Sequence, residues 1–221
     1  MPTEESTFYL MYDDENLYVG ARMRGSEPDQ IAARQLIQGQ SVGIDDRLEL
    51  ILDPFNKMRA GYKFQLNPND VRRDGIFERP TNVNTDWDGI WSGEAVIDDQ
   101  EWTAELAIPF KTLNFDPSNP DWGFTIGRAI PRKKEKIAWT SFDRSINLSA
   151  TGVLSGFENL GQGRGLDIIP SISVAGSRDY ATAEGDTNTE PSLDVFYNFT
   201  PSLTGVLTLN TDFSATEVDD R

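Results

Sequence analysis

The chain has 221 residues, 36 acidic against 20 basic, a formal charge of −16, and neither Cys nor His. Without Cys there are no disulfides, no thiolate nucleophile and no Cys-type zinc or iron–sulfur site; without His there is no Ser-His-Asp triad and no imidazole ligand. The acidic balance opposes nucleic acid, whose phosphates demand a basic face, and leaves carboxylates, Tyr, Lys, Ser/Thr or a hard metal for any catalysis.

Charge is unevenly placed. Residues 1–165 carry 26 acidic and 18 basic groups and residues 166–221 carry 10 and 2, so each part contributes −8. That asymmetry predicts two environments along one chain. The opening Met1-Pro2-Thr3-Glu4-Glu5 is acidic and lacks the apolar run of a signal peptide, and no stretch approaches the ~20 apolar residues of a spanning helix.

In chain order, Phe8–Tyr12 and Asn16–Arg22 flank Asp13-Asp14-Glu15, the pattern of a hairpin with a short acidic turn. Pro28–Ile37 has the composition of a helix of about two or three turns, ended by Gly39 and Gly43. Arg47–Asp53 alternates, with Leu48, Leu50 and Leu52 on one face and Arg47, Glu49 and Asp53 on the other. Tyr62–Asn67 alternates too, and Pro68-Asn69-Asp70 turns the chain toward Gly75–Phe77. Trp102–Pro109 sets Trp102, Ala104, Leu106 and Ile108 on one side, Phe110–Leu113 fits a single helical turn, and Trp122–Ile126 and Ile137–Trp139 add strands. Short strands divided by Asp/Asn/Gly/Pro turns predict an all-β protein, an antiparallel β-sandwich of jelly-roll type.

Beyond Gly161–Gly165 the texture changes. Leu166–Val174 alternates loosely, and the polar stretch Asp179–Pro191 reads as a flexible loop. Leu193–Phe199 and Leu203–Asn210 then alternate about a turn at Thr200-Pro201-Ser202. Apolar-out, polar-in segments of ~10 residues are the pattern of an outer-membrane barrel hairpin. A soluble amphipathic hairpin has the same pattern.

Five motifs follow one another: Tyr12–Gly20, Asp45–Phe55, Trp87-Asp88-Gly89-Ile90-Trp91, Trp102–Pro109 and Ile130-Pro131-Arg132-Lys133. Together they resemble carbohydrate-binding module family 9, in the divergent branch at the front of bacterial outer-membrane β-barrel proteins of unknown function. The match covers residues 7–165, and Leu207–Ser214 is similar to the first barrel strands of those proteins. The resemblance implies a sandwich over 1–165, the start of an incomplete barrel over 166–221, and a fragment truncated at both ends. It implies a place at the bacterial outer membrane, with the sandwich in the periplasm or at the cell surface. The implied partners are a poly- or oligosaccharide, the chain's own barrel and the membrane.

In sugar-binding members of the family two tryptophans sandwich a terminal sugar, while a Glu and an Arg bind its hydroxyls. A pyranose offers C–H faces to aromatics and hydroxyls to charged groups. Glu49 matches the family's Glu; the Arg falls at Gln65, the first tryptophan at Gly43, and the second within 147–150, where no aromatic stands. Trp87, in the polar loop Asn84–Gly89, reads either as a substitute stacking platform or as a loop anchor folded over the core. Trp139 lies near the basic run Arg132–Lys136, itself either a solvated loop or a contact for acidic glycans and lipopolysaccharide phosphates. Trp91, Trp102 and Trp122 are expected in the core.

The pairs Asp13/Asp14, Asp45/Asp46, Asp86/Asp88 and Asp98/Asp99 are numerous enough for a glycosidase, which needs two acids ~5–9.5 Å apart in a cleft. Adjacent acids diverge, so a turn-forming role is the expectation for them. Asp13, Asp14, Asp86 and Asp88 are the oxygens to consider for a structural Ca²⁺, although neither loop has EF-hand spacing. Three readings result. The leading one is a non-catalytic, saccharide-recognising module of carbohydrate catabolism fused to a barrel. The others are a component of an O-glycosyl hydrolase, and a periplasmic adaptor or plug without sugar affinity.

Overall fold

The computed structural model describes residues 2–140, 146–160, 166–178, 185–200 and 203–210. The chain divides into two units, Met1–Gln162 and Gly163–Arg221. In the first run β1 (Ser6–Tyr12), β2 (Asn16–Arg24), β3 (Arg47–Asp53), β4 (Gly61–Leu66), β5 (Arg72–Arg79) and β6 (Asn82–Asn84). They are followed by β7 (Ser92–Ile97), β8 (Glu101–Pro109), β9 (Asp121–Ile130), β10 (Glu135–Ala138) and β11 (Gly152–Ser155).

Two antiparallel sheets form. The first has the order β1-β2-β8-β7, and the second the order β10-β9-β3-β4-β5-β6, with β11 also paired to β9. The chain crosses between sheets after β2, β6 and β8. Strand alternation decides which side chains meet. Leu17, Val19, Ala21 and Met23 of β2 and Trp102, Ala104, Leu106 and Ile108 of β8 share one core with Leu48, Leu50 and Leu52 of β3, Phe64 of β4 and Trp122, Phe124 and Ile126 of β9. Each Leu, Val, Ile, Met or Phe among them contributes roughly 1.5–3 kcal/mol on leaving water. The β1–β2 hairpin closes through Asp13, whose carboxylate accepts the N–H groups of Glu15 and Asn16 at 2.8 and 2.7 Å. Phe110–Thr112 is the expected single turn, of 3-10 type, with Phe110 in the core.

The helix expected over 28–37 does not form. A 3-10 turn spans Pro28–Gln30, and irregular chain follows. Its backbone groups are claimed from a distance instead. Asp46 accepts the N–H of Ala32, Asp45 accepts those of Arg34 and Gln35, and Asn69 donates to the carbonyls of Ala33 and Gln35. Side chains that satisfy peptide groups one by one remove the incentive for an i→i−4 ladder. Asp45 and Asp46 are therefore fully buried staples rather than surface turn acids.

The second unit is a three-stranded antiparallel sheet of β12 (Leu166–Arg178), β13 (Gly185–Thr200) and β14 (Leu203–Leu209). The loop expected over 179–191 is corrected from 185 onward: Gly185–Pro191 pairs with Ile172–Arg178 of β12. Residues 179–184 lie outside the described residues, as do 211–214 of the barrel-like motif. Register aligns Ile168 with Val195 and Leu207, and Pro170 with Leu193 and Leu209, so one face is continuously apolar. Ile168, Ile172, Val174, Leu207 and Leu209 on that face are exposed. Three strands are an open sheet, and no closed barrel is formed by the described residues.

Candidate functional site

Because Leu48, Leu50 and Leu52 face the core, the intervening Arg47, Glu49, Ile51 and Asp53 of β3 stand on the sheet's other face. Register extends that face sideways. Gly127 of β9, Glu49 of β3, Gln65 of β4 and Arg73 of β5 form one row, and Thr125, Ile51, Lys63 and Gly75 form the next. Ile51 is covered by Phe77 and Leu148, with Val83 and Ile146 packed alongside. The 147–150 stretch, where the family resemblance puts a sugar-stacking tryptophan, thus supplies an aliphatic lid residue.

Glu49 is only 1% exposed. Its Oε1 accepts from Arg47 Nε at 2.5 Å and from Gln65 Nε2 at 2.9 Å, and its Oε2 lies 3.9 Å from Lys63 Nζ. Burial alone would raise this carboxyl. Lys63 and Arg47, the Arg47 hydrogen bond and Lys136 outweigh it and hold the group below the ordinary carboxylate range. Lys63 is held below the usual ammonium value by burial first; Glu49 opposes that, while Arg47, Lys136 and Arg73 add to it. Arg47 also donates to the carbonyls of Gly43 and Asp45, at 3.2 and 3.4 Å, so one guanidinium fastens the 43–45 loop to the Glu49 carboxylate.

Beside this buried network opens a cleft of about 240 Å³, with Ser41, Gly43, Lys63, Gln65, Arg73 and Thr85 among its walls. A second cavity, of about 730 Å³, shares Gly43 as a wall and has Ile31, Arg34, Ile44, Pro131 and Arg132 among its other lining residues. The larger cavity falls within the usual volume of small-molecule sites and the smaller one below it. The smaller is the better candidate for specific recognition, because Gln65 in its lining is fixed by its hydrogen bond to Glu49. A Cβ on Gly43 would meet only Ser41 Oγ within 4 Å, at 3.4 Å, and glycine itself puts no side chain into the wall that the two cavities share.

The sequence candidates divide accordingly. Glu49 and Gln65 come together, with Glu49 as a buried anchor and Gln65 at the cleft. Trp87 packs its ring on Tyr62 and Phe64, with centroids 5.1 and 6.1 Å away, as a loop anchor against the core. Its loop is held by Asp74, which accepts from the Gly89 N–H at 2.6 Å and from Trp91 Nε1 at 3.2 Å. Trp139 is 57% exposed, but its N–H donates to Ile126 O and its ring lies 5.7 Å from Phe124. Both partners belong to the core face of β9, opposite Glu49. Trp91, Trp102 and Trp122 are buried. Asp13 is engaged in its turn, Asp14, Asp86 and Asp88 are exposed, and no three acidic side chains converge among the described residues.

Lys63 and Arg73 were not singled out by sequence. The available signal was strand phase: in Arg72-Arg73, Arg72 bonds Trp91 O on the core side, so its neighbour must face the cleft.

No family model matches the chain, and no curated protein matches it. Among solved structures, a candidate carbohydrate-binding protein of Bacteroides uniformis ATCC 8492 is similar at TM-score 0.58 and 11% identity, over 69% of this chain and 78% of that one. A family 9 carbohydrate-binding module of Caldicellulosiruptor kristjanssonii, in complex with glucose or with cellotriose, is similar at TM-score 0.46 and 19% identity, over 70% of this chain and 78% or 76% of its own. The Bacteroides likeness shows that the β-sandwich fold is shared, and the family that the motifs resemble is among the neighbours.

Proposed function

We propose that the first unit is a non-catalytic carbohydrate-binding module that recognises a poly- or oligosaccharide through the cleft at Gln65. The observation that carries this reading is the coincidence of position. The Glu and Arg sites of the family resemblance, Glu49 and Gln65, share a 2.9 Å hydrogen bond at the edge of an open polar cleft. Likeness in fold to the candidate carbohydrate-binding protein of Bacteroides uniformis supports the same activity. One sugar ring occupies the smaller cavity, and further units of a chain pass over Gly43 into the larger one. Ser41, Thr85 and Gln65 address hydroxyls, which are polar in two directions and match amide and hydroxyl groups.

The exposed apolar face of the second unit supports a barrel start, and with it a place at the outer membrane; a role in carbohydrate catabolism follows from the saccharide reading of the first unit. The test is calorimetric titration of the full chain with a panel of neutral and acidic oligosaccharides. Binding is expected, and it weakens in Gln65→Ala while Trp139→Ala leaves it intact. Absence of binding to every saccharide, or loss of binding on Trp139→Ala alone, refutes the reading.

A further inference from the structure

The cleft's electrostatics are opposite to those of the chain around it. The protein carries a formal charge of −16, yet two cations, Lys63 and Arg73, line the cleft beside a single acid, Asp74, and Arg47 and Lys136 also act on the Glu49–Lys63 pair. Arg47 is consumed by Glu49 and by two backbone carbonyls. Lys63 is only loosely paired, at 3.9 Å. Arg73 makes no ion pair among the described residues, and it stands directly across from Gln65. The one acid in the cleft wall, Asp74, aims its carboxylate away, at the Gly89 N–H and the Trp91 indole.

Register gives the spacing of the two unspent cations. Lys63 and Arg73 are diagonal neighbours on adjacent strands, about 7–8 Å apart at the backbone. Their heads can converge on one group between them. A guanidinium presents a planar fork that matches a carboxylate or phosphate in two parallel hydrogen bonds, and an ammonium adds a point charge. A cleft whose one wall acid, Asp74, is turned to the Gly89 N–H and the Trp91 indole leaves the field of Lys63 and Arg73 to act on the ligand. A neutral sugar leaves this surplus uncompensated; an anionic one removes it.

We infer that the cleft selects an acidic saccharide, with its anionic group between Lys63 and Arg73 and its hydroxyls toward Ser41, Gln65 and Thr85. This rests on the saccharide-binding reading above and adds the class of sugar. The anion has two sources, the carboxylate of a uronic acid or a sulfate or phosphate ester.

The test is titration of the full chain with trigalacturonate, its methyl ester, a chondroitin sulfate tetrasaccharide, mannose 6-phosphate, cellotriose and inorganic phosphate. At least one acidic saccharide is expected to bind about tenfold tighter than cellotriose and the methyl ester. Its affinity falls on raising salt to about 0.5 M, since exposed charges are then screened. Arg73→Gln and Lys63→Gln each weaken it about tenfold, with tryptophan fluorescence unchanged as the check on folding. The acid that ranks first names the source. Cellotriose or the methyl ester binding as tightly as every acid overturns the acidic preference and leaves the saccharide reading standing. Silence from every saccharide overturns both. Acid binding indifferent to both substitutions, or matched by inorganic phosphate, overturns the site.

Discussion

Removing the Glu49 side chain strands buried cations. Arg47 and Glu49 have side chains 6% and 2% exposed and meet at 2.5 Å, and Lys63 lies 3.9 Å away on the other oxygen. At an effective dielectric of ~20, a pair about 4 Å apart is worth about 4 kcal/mol, part of it offset by desolvation. Breaking a buried pair from one side costs about 3–5 kcal/mol, because the remaining charge is uncompensated. Glu49→Ala is therefore expected to lose about 4 kcal/mol, a large share of the ~5–15 kcal/mol that holds a typical domain. At a urea slope of ~2 kcal/mol per M, the midpoint falls by about 2 M. All five tryptophans, at 87, 91, 102, 122 and 139, lie in the first unit, so fluorescence of the full chain reports this unit. Glu49→Gln, which keeps an acceptor for Arg47 and Gln65, loses less. Pairing Glu49→Leu with Arg47→Met removes both charges and recovers most of the loss. A Glu49→Ala loss below about 1 kcal/mol, or a double variant as weak as the sum of its singles, refutes the claim that this carboxylate is the counter-ion of the cleft.

Further outcomes follow from other sites. Glu4 accepts from Ser26 N and Oγ and from Lys133; burial would raise its carboxyl, but these partners bring it down to about 2 from 4.5. Because the folded value is the lower one, Glu4 stabilises fully above pH 4.5, and the contribution, on the order of 3 kcal/mol, fades as pH falls toward 2. Melting curves of wild type and Glu4→Gln should differ at pH 6 and converge near pH 2; a constant gap refutes this. Gly61→Ala places a Cβ 2.5 Å from Leu52 O and 2.7 Å from Leu148 Cδ1, so a loss of about 1–3 kcal/mol in urea unfolding is expected. At Gly43 a Cβ has only Ser41 Oγ within 4 Å, at 3.4 Å, so Gly43→Trp has room to start a side chain that would set a stacking platform beside the cleft, worth about 0.5–1.5 kcal/mol. Calorimetry should show cellotriose affinity rising about threefold or more, and no gain refutes the placement of the sugar. Asp45→Ala leaves the N–H groups of Arg34 and Gln35 unpaired and removes one of the two acceptors of the Asn67 amide, and amide exchange over 32–36 should accelerate while β8 stays protected.

The parts of the fold that depend on period-two alternation were legible in sequence. Leu48/Leu50/Leu52 and Trp102/Ala104/Leu106/Ile108 face the core as their phase predicts. The failure at 28–37 has a different physics. Its Ala, Gln and Ile content is compatible with helix, and the irregular path is imposed by Asp45, Asp46 and Asn69, residues distant in sequence. Gly185–Glu190 reads as a loop by composition, yet it is recruited into β13 because its long partner β12 offers a ladder. For the site, the family resemblance put forward Glu49 and Gln65, which the structure brings together, but it did not give the burial of Glu49 or the cations around it. Burial depends on Leu148 and Ile146 folding over Ile51, and the cationic surplus on strands β3, β4 and β5 standing in register. Both are tertiary facts. Trp139 illustrates the converse: its exposure suited a sugar platform, and only the pairing with Ile126 reveals which face it serves.

The edge of β9 has a consequence beyond its own sheet. β10 covers Gly127–Ile130 and β11 covers Asp121–Phe124, with the Trp139 ring against Gly152 where the two meet. What would be a ten-residue ribbon of unpaired peptide groups is divided between two four-residue strands, each too short to template a neighbour. An open strand edge of that length risks zipping edge to edge with another copy into fibrils. The split cover on β9 acts as a guard against such self-association, and it does so at the sheet edge farthest from the strands that carry Gln65 and Arg73.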